Sequence, residues 1–358
     1  MNRVRFIIKL CLAIRNATYP QAITRRGVRA RHSSIYRPPA RIWVPGRLLT
    51  VLSVPVGAQD AFPTQTIRIV VPFSPGGTAD VLARMIAAQL QIRYGSSVVV
   101  ENRAGAGGNI GAEAVAKARP DGHTLVLGTI GIHAAYMIYK NMGYDPAREL
   151  RPVIVLGEVP CVLVIHPSLP LNNLDQFLTY ARKNPGTLNY GSAGNGSATH
   201  MMGELFQQSA GVRLTHVPYR GSSTAMNDLI AGQIDLMFEL VTTAAPVSHA
   251  GTLRALAVTS AQRSPVLPEV PTINELAIPG FDGTGWFTIA TATGVPAPVV
   301  AKLNRDIDEI LHAPALQDMW KTLALTVMGG SPERAAKFFE SEREKWGKVI
   351  RTANIRID

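Results

Sequence analysis

From Thr66 onward, short runs of β-branched residues alternate with amphipathic helical patterns, and the loops between them are rich in glycine and hydroxyl side chains. That order constrains the fold more than any other feature. Alternation at this spacing predicts parallel α/β sheets with helices on both faces. Such sheets bind ligands at the carboxyl ends of their strands, where the strand-to-helix loops lie. Ile67–Val71 predicts a first strand, and Thr78 is a good N-cap for the helix after it. Val81, Leu82, Met85, Ile86 and Leu90 fall on one face of that helix, Asp80 suits its first turn, and Gly95 ends it. Val98–Val100 and Thr124–Leu127 predict two more strands, with a helix around Ala112–Ala118 between them. Further strands are expected at Cys161–Ile165, Leu188–Tyr190, Leu214–Val217, Ile234–Phe238, Ala255–Val258 and Phe287–Ala290. Helices are expected at Leu174–Lys183, Thr199–Ser209, Ser222–Ala231 and Val299–Leu311.

Four strand-to-helix loops carry the candidate chemistry. Ser74-Pro75-Gly76-Gly77-Thr78 lets backbone approach a ligand and offers free N–H groups to an anion, or is simply a tight turn. It is not a P-loop, because no Gly-Lys-Ser/Thr follows. Arg103–Gly111 mimics a dinucleotide fingerprint, but Ile110 stands at the third glycine position and no suitable acid follows, so no nucleotide cofactor is expected. Asn189–His200 gathers glycines and hydroxyls ahead of a helix. Ser192 and Ser197 lie outside G-x-S-x-G, and His200 is within helix range of Ser197, so an α/β hydrolase using Ser197 and His200 is the enzymatic alternative. In Val217–Ser223, Arg220 either binds a carboxylate bidentately or forms a structural ion pair with Asp228 or Asp235, the latter slightly favoured. Eight histidines without ligand spacing support no metal site.

The net charge of +11 suggests a polyanionic partner only until it is located. Eleven of the 36 bases and one of the 25 acids lie within residues 1–61, leaving 25 bases against 24 acids from Phe62 onward. Nucleic-acid binding through a basic surface is thereby excluded. Arg37, Arg41 and Arg47 precede the apolar run Leu48–Val56 and then Val56-Gly57-Ala58, which together describe a secretory signal cut after Ala58. The long stretch before it reads as an internal translation start or as an Arg-rich mitochondrial presequence. Cys11 and Cys161 are the only cysteines, so a chain cut at Ala58 holds no internal disulfide. Neither Thr124–Tyr139 nor Val153–Ile165 is long and apolar enough to span a membrane, so a soluble mature protein is expected.

Taken in order, these pieces are specific. Pro-Phe-Ser-Pro-Gly-Gly-Thr-x-Asp at Pro72–Asp80, Val-Glu-Asn-Arg-x-Gly-Ala-Gly-Gly-Asn-Ile-Gly at Val100–Gly111 and Pro120-Asp121-Gly122-His123-Thr124-Leu125 come first. Leu188–Ser197, Val217–Gly221, Leu253–Thr259, Pro268–Thr272 and Gly294-Val295-Pro296 follow. The series, from about Phe62 to the C-terminus, resembles the Bug family, extracytoplasmic solute receptors of tripartite tricarboxylate transporters. The resemblance implies a type II periplasmic-binding-protein fold: two lobes, each with a central, mainly parallel sheet flanked by helices, and a ligand cleft between them. It implies lobe 1 at residues 62–160 plus 283–358 and lobe 2 at 161–282. The implied ligand is a small organic anion (a di- or tricarboxylate, acidic amino acid or aromatic acid) and the implied partners are membrane permease subunits. A monomeric, non-enzymatic periplasmic protein follows, or alternatively an orphan ligand-sensing receptor. One jaw would be Ser74, Pro75, Gly76, Gly77 and Thr78 with Asn109 and Thr129. The other would be Gly191, Ser192, Gly194, Gly196 and Ser197 with Tyr219, Arg220 and Gly221. The sequence departs from the family where an Asp commonly follows the Asp-Leu-Met-Phe strand; here stand Glu239 and Leu240, then Thr242 and Thr243.

Overall fold

In the computed structural model, which describes residues 62–357, the apolar run Ile67–Val71 forms β1, buried at four of its five positions as befits a strand covered on both faces. It feeds α1 (Thr78–Tyr94), which buries Leu82, Ala83, Ile86 and Leu90 along one stripe and ends on a left-handed Gly95. β2 (Val98–Asn102), α2 (Asn109–Ala116) and β3 (Thr124–Gly128) follow. α2 begins three residues before its expected start, because the Gly107–Gly108 turn already points the backbone into a helix at Asn109. α3 (Ile130–His133) and α4 (Pro146–Glu149) are single turns leading to β4 (Leu150–Ile165). The next stretch runs α5 (Leu174–Lys183), β5 (Asn189–Ser192), α6 (Ala198–Ala210), β6 (Thr215–Pro218), α7 (Ser222–Ile230), β7 (Leu236–Leu240), α8 (Val241–His249) and β8 (Arg254–Val258). After α9 (Ile273–Leu276) come β9 (Thr284–Ala292), α10 (Ala297–His312), α11 (Gln317–Thr322), β10 (Thr326–Val327) and α12 (Pro332–Ala353).

Strand order is β2-β1-β3-β9-β4-β7-β5-β6, with β8 and β10 also paired to β4. Pairing is parallel within each set of strand–helix units, at β1–β2, β1–β3, β5–β6 and β5–β7. It is antiparallel wherever β4 or β9 takes part. The alternation alone predicted parallel pairing throughout, and β4 and β9 are the exceptions because they are the long segments between the sets. The first part of β4 pairs with β9, whereas Cys161–Ile165 pairs with β7 and β8. One continuous strand is therefore shared by both halves. α8 and α12 were absent from the expected helices. α8 follows β7 with no intervening loop, and α12 carries its few apolar side chains, among them Phe339, Trp346 and Ile350, against β4 and α6.

The core contains Trp286, Trp346, Tyr190, Phe206 and Phe238, each less than 2% exposed. The indole N–H groups of Trp286 and Trp346 both donate to Glu342 Oε2, at 2.6 and 2.8 Å. No helix among the described residues is long and apolar enough to cross a membrane. The expected leader and cleavage site lie outside the described residues.

Candidate ligand-binding cleft

The strand-to-helix loops of the two sets of strands face each other and touch. Ser74 N–H donates to the Arg220 carbonyl at 3.3 Å, and the Ser223 hydroxyl to the Pro75 carbonyl at 2.9 Å. The Tyr139 hydroxyl donates to the Asn195 carbonyl at 2.9 Å, and the Thr78 and Thr243 hydroxyls lie 3.5 Å apart. Two glycines make this approach possible. A Cβ at Gly221 would stand 2.8 Å from Ser74 N, and one at Gly107, where φ is +61°, only 1.9 Å from the Asn195 carbonyl oxygen.

Beside these contacts lies a small cavity lined from both sets of loops. Phe73, Ala79, Ala198, Leu240 and Phe287 supply apolar wall, and Gly77, Thr78, Thr129, Ser197, Thr199 and Ser222 supply polar groups. None of its lining residues is charged. What it has instead is helix ends. The N-terminal residues or caps of α1, α3, α6 and α7 all line it, through Gly77 and Thr78, Thr129, Ser197 and Ala198, and Ser222. Gly77 and Gly221 give α1 and α7 no side-chain cap. Thr129 is placed to cap α3 but does not, and its buried Oγ1 has no hydrogen-bond partner. Uncapped N–H groups and helix dipoles converging on a neutral cavity favour an anion.

Asp80 holds the first loop in shape. It accepts from Gly76 N–H, from Asn102 Nδ2 and twice from Arg84. Burial raises its pKa, but these hydrogen bonds outweigh that and leave it below the ordinary value.

Of the residues expected in the site, Gly77, Thr78, Thr129 and Ser197 line this cavity. Ser74, Pro75 and Gly221 form the seam beside it, and Gly76 lines a neighbouring cleft with Ser223, Glu239 and Thr243. Gly194, Tyr219 and Arg220 border an outer hollow with Gly107, Ile110 and Tyr139. Arg220 forms no ion pair among the described residues, contrary to the slight preference for one. Asp228 accepts from Tyr219 and Asp235 from Asn189, so both proposed partners are engaged elsewhere. Asn109, Gly191, Ser192 and Gly196 support the loops. Asn109 donates to Ala106 O and accepts from the Tyr144 hydroxyl, and Ser192 Oγ contacts His216 Nε2 at 2.6 Å. Gly191 packs beneath on Ile234, and Gly196 N–H donates to His200 Nδ1. Leu240 belongs to the segment where the sequence departs from the family, whereas Thr199, Ser222 and Phe287 were not anticipated in the wall. Ser222 was readable as the start of α7, whereas Phe287 comes from a returning strand and gives no local signal.

The Ser197–His200 pair is a helix cap. Ser197 Oγ accepts from the backbone N–H of His200, while the ring accepts from Gly196 N–H through Nδ1, so no base faces the hydroxyl. Ser192 does meet a histidine, but it is wholly buried, lines neither the cavity nor the outer hollow, and also accepts from Gly194 N–H. Burial drives His216 down to about 4 and His200 well below its ordinary value, so both rings are neutral braces at neutral pH.

A shared sheet, facing strand-to-helix loops and an uncharged anion-favouring cavity between them define a two-lobed solute-binding protein. The chain belongs to the tripartite tricarboxylate transporter family of receptors, whose model matches residues 82–355. It is 42% identical over 303 residues (84% of this chain and 90% of the relative) to the UPF0065 protein in the tcbD-tcbE intergenic region of Pseudomonas sp. (strain P51). It is 35% identical to Protein BugT of Bordetella pertussis, covering 86% and 94% of the two chains. Among solved structures, R. palustris Rpa4515 with adipate superposes with a TM-score of 0.80 at 41% identity, covering 82% of this chain and 99% of that one. The periplasmic binding protein BugD gives 0.79 at 34%, covering 82% and 99%. MatC from Rhodopseudomonas palustris with bound malate gives 0.77 at 33%, covering 81% and 100%.

Proposed function

We propose that this chain captures a small carboxylate-bearing metabolite between its lobes and delivers it to the membrane permease of a tripartite transporter. The observation that carries this is the convergence of four helix N-termini and unsatisfied Thr129 Oγ1 on a cavity without a charged side chain. A carboxylate there is held by oriented dipoles and hydroxyls, strongly enough for capture and without a buried counter-ion that would slow release. The adipate and malate bound by its structural relatives fit this class. In this reading the lobes are residues 62–160 with 283–358, and 161–282, moving about β4 and the returning segment before β9. Ligand stabilises the closed arrangement, which the permease recognises. The protein works in the periplasm after cleavage at Ala58, and catalyses no reaction, since its serine–histidine contacts are caps and braces.

A thermal-shift screen of the protein beginning at Gln59 against succinate, adipate, malate, citrate, glutamate and benzoate tests this. A ligand at 100 times its Kd adds about 2.7 kcal/mol of stability, a readily measured shift. Failure of every organic anion to raise the transition temperature would sink the reading.

A further inference from the structure

Glu239 is a buried acid of the cleft region whose chemistry the binding reading leaves unused. It is the penultimate residue of β7, 0% exposed, and Oε1 accepts from the Thr243 hydroxyl. That same hydroxyl oxygen lies 3.5 Å from Thr78 Oγ1 on the opposite side, and Thr78 lines the ligand cavity. Ser222 faces both spaces, lining the ligand cavity and the neighbouring cleft that Glu239 also lines. Oε2 has no hydrogen-bond partner. A buried carboxyl is thus one hydroxyl removed from the cross-cleft contact, with half of its acceptor capacity idle.

Among the described residues, no cation balances it. On β4, the Cys161 thiol is the titratable neighbour that feels its charge. On the other elements packed against β7, titratable groups are committed elsewhere. Tyr190 of β5 donates to Glu204 of α6, His200 of α6 accepts from Gly196, Asp228 of α7 accepts from Tyr219, and His249 of α8 faces Glu269. Across the cleft, Asp80 is paired with Arg84. Desolvation, which hydrogen bonds from Thr243, Ser222 and the Leu240 backbone only partly oppose, raises the pKa of a carboxyl so placed to about 7. The cleft beside it, bordered by exposed Asn227 and Ile230, gives protons a route from solvent.

An organic anion entering the adjoining cavity adds negative charge beside this group. It therefore favours the protonated form, and by reciprocity the protonated form favours the anion. Resting on the carboxylate reading, we propose that Glu239 couples ligand capture to uptake of one proton, so that the receptor binds its anion most tightly while this side chain is neutral. The step is a protonation alone: the carboxylate takes a proton from solvent and no other bond changes.

The test is isothermal titration of the protein beginning at Gln59 with adipate and with malate, at pH 6, 7, 8 and 8.5, in buffers of differing ionisation enthalpy. For wild type, the enthalpy should depend on buffer with the sign of proton uptake near pH 7 to 8. The Kd should rise with pH by several-fold over the series, with one proton setting a ceiling of about tenfold per pH unit. Glu239→Gln, checked for folding by circular dichroism, should lose both the buffer dependence and the pH dependence. Binding without proton uptake by wild type, or a pH dependence that survives in Glu239→Gln, overturns the proposal while leaving carboxylate capture intact. The wild-type measurement decides even if the variant fails to fold. Absence of binding by every anion of the thermal-shift screen fells the carboxylate reading, and this coupling with it.

Discussion

The carbonyl oxygen of Asn195 lies so close to the Cα of Gly107 that a Cβ on residue 107 would stand 1.9 Å from it. Backbone meets backbone there, across the cleft, with the Tyr139 hydroxyl bonded to the same carbonyl oxygen. Closure at this point is a matter of excluded volume, and glycine satisfies both the space and the positive φ.

Gly107→Ala should therefore hold the cleft open. Each half should still fold, with helical content unchanged by circular dichroism, while affinity for any ligand falls at least about fivefold, since strained left-handed backbone alone costs about 1 kcal/mol or more. Small-angle scattering with ligand present should show no compaction. An unchanged Kd would show that the two loops do not meet in the bound state.

Thr129→Val tests the unpartnered hydroxyl. Valine keeps the shape and removes a buried polar atom that bonds to nothing here, so unliganded stability should hold or rise slightly. Ligand affinity should drop about fivefold, the equivalent of about 1 kcal/mol for one hydrogen bond. Calorimetry and a denaturation curve separate the two effects, and equal losses in both would mean that the hydroxyl is structural.

Glu342→Ala should destabilise without touching the cleft. Its Oε2 accepts from the indoles of Trp286 and Trp346, which are 1% and 0% exposed. Removing it strands two buried N–H donors, with an expected loss of about 2–4 kcal/mol in urea unfolding followed by tryptophan fluorescence. Glu342→Gln keeps an acceptor oxygen and should recover part of this.

Unliganded stability should carry a signature of Glu239. Its carboxyl titrates at about 7 when folded against an ordinary 4.5. Below pH 4.5 it is neutral in both states. Between 4.5 and 7 the folded state keeps a proton that the unfolded state releases, so stability falls as pH rises, by about 3 kcal/mol in total above pH 7. His216, lowered to about 4 by burial, acts in the opposite sense below its ordinary 6.5. The quantity to measure is thus the difference between wild type and Glu239→Gln, which should change across pH 4.5–7 and level off above it.

Much of this protein was legible in one dimension. The runs at Ile67–Val71, interrupted only by Arg68, and Cys161–Ile165 are strands because β-branched and apolar side chains suit a surface buried on both sides. The Gly77–Thr78 and Gly221–Ser222 junctions mark helix starts through local glycine backbone, although the cap expected at Thr78 falls on Gly77 and neither helix has a side-chain cap. Localising the positive charge to residues 1–61 needed only counting. What sequence could not settle was the division of labour among equivalent polar residues. Ser192 and Ser197 look alike in the chain, yet His216, 24 positions after Ser192, takes that hydroxyl for the interior while Ser197 reaches the cavity. Asn109 is claimed by Tyr144, and Phe287 arrives in the wall on a strand that returns from the far end of the chain. Glu239 reads as one more acid after a strand; only its packing, with no cation near and one oxygen unpartnered, makes it a titrating group near neutrality. Helix caps and strand runs are set by interactions a few residues long, whereas desolvation and hydrogen-bond competition depend on what the fold brings together from distant segments.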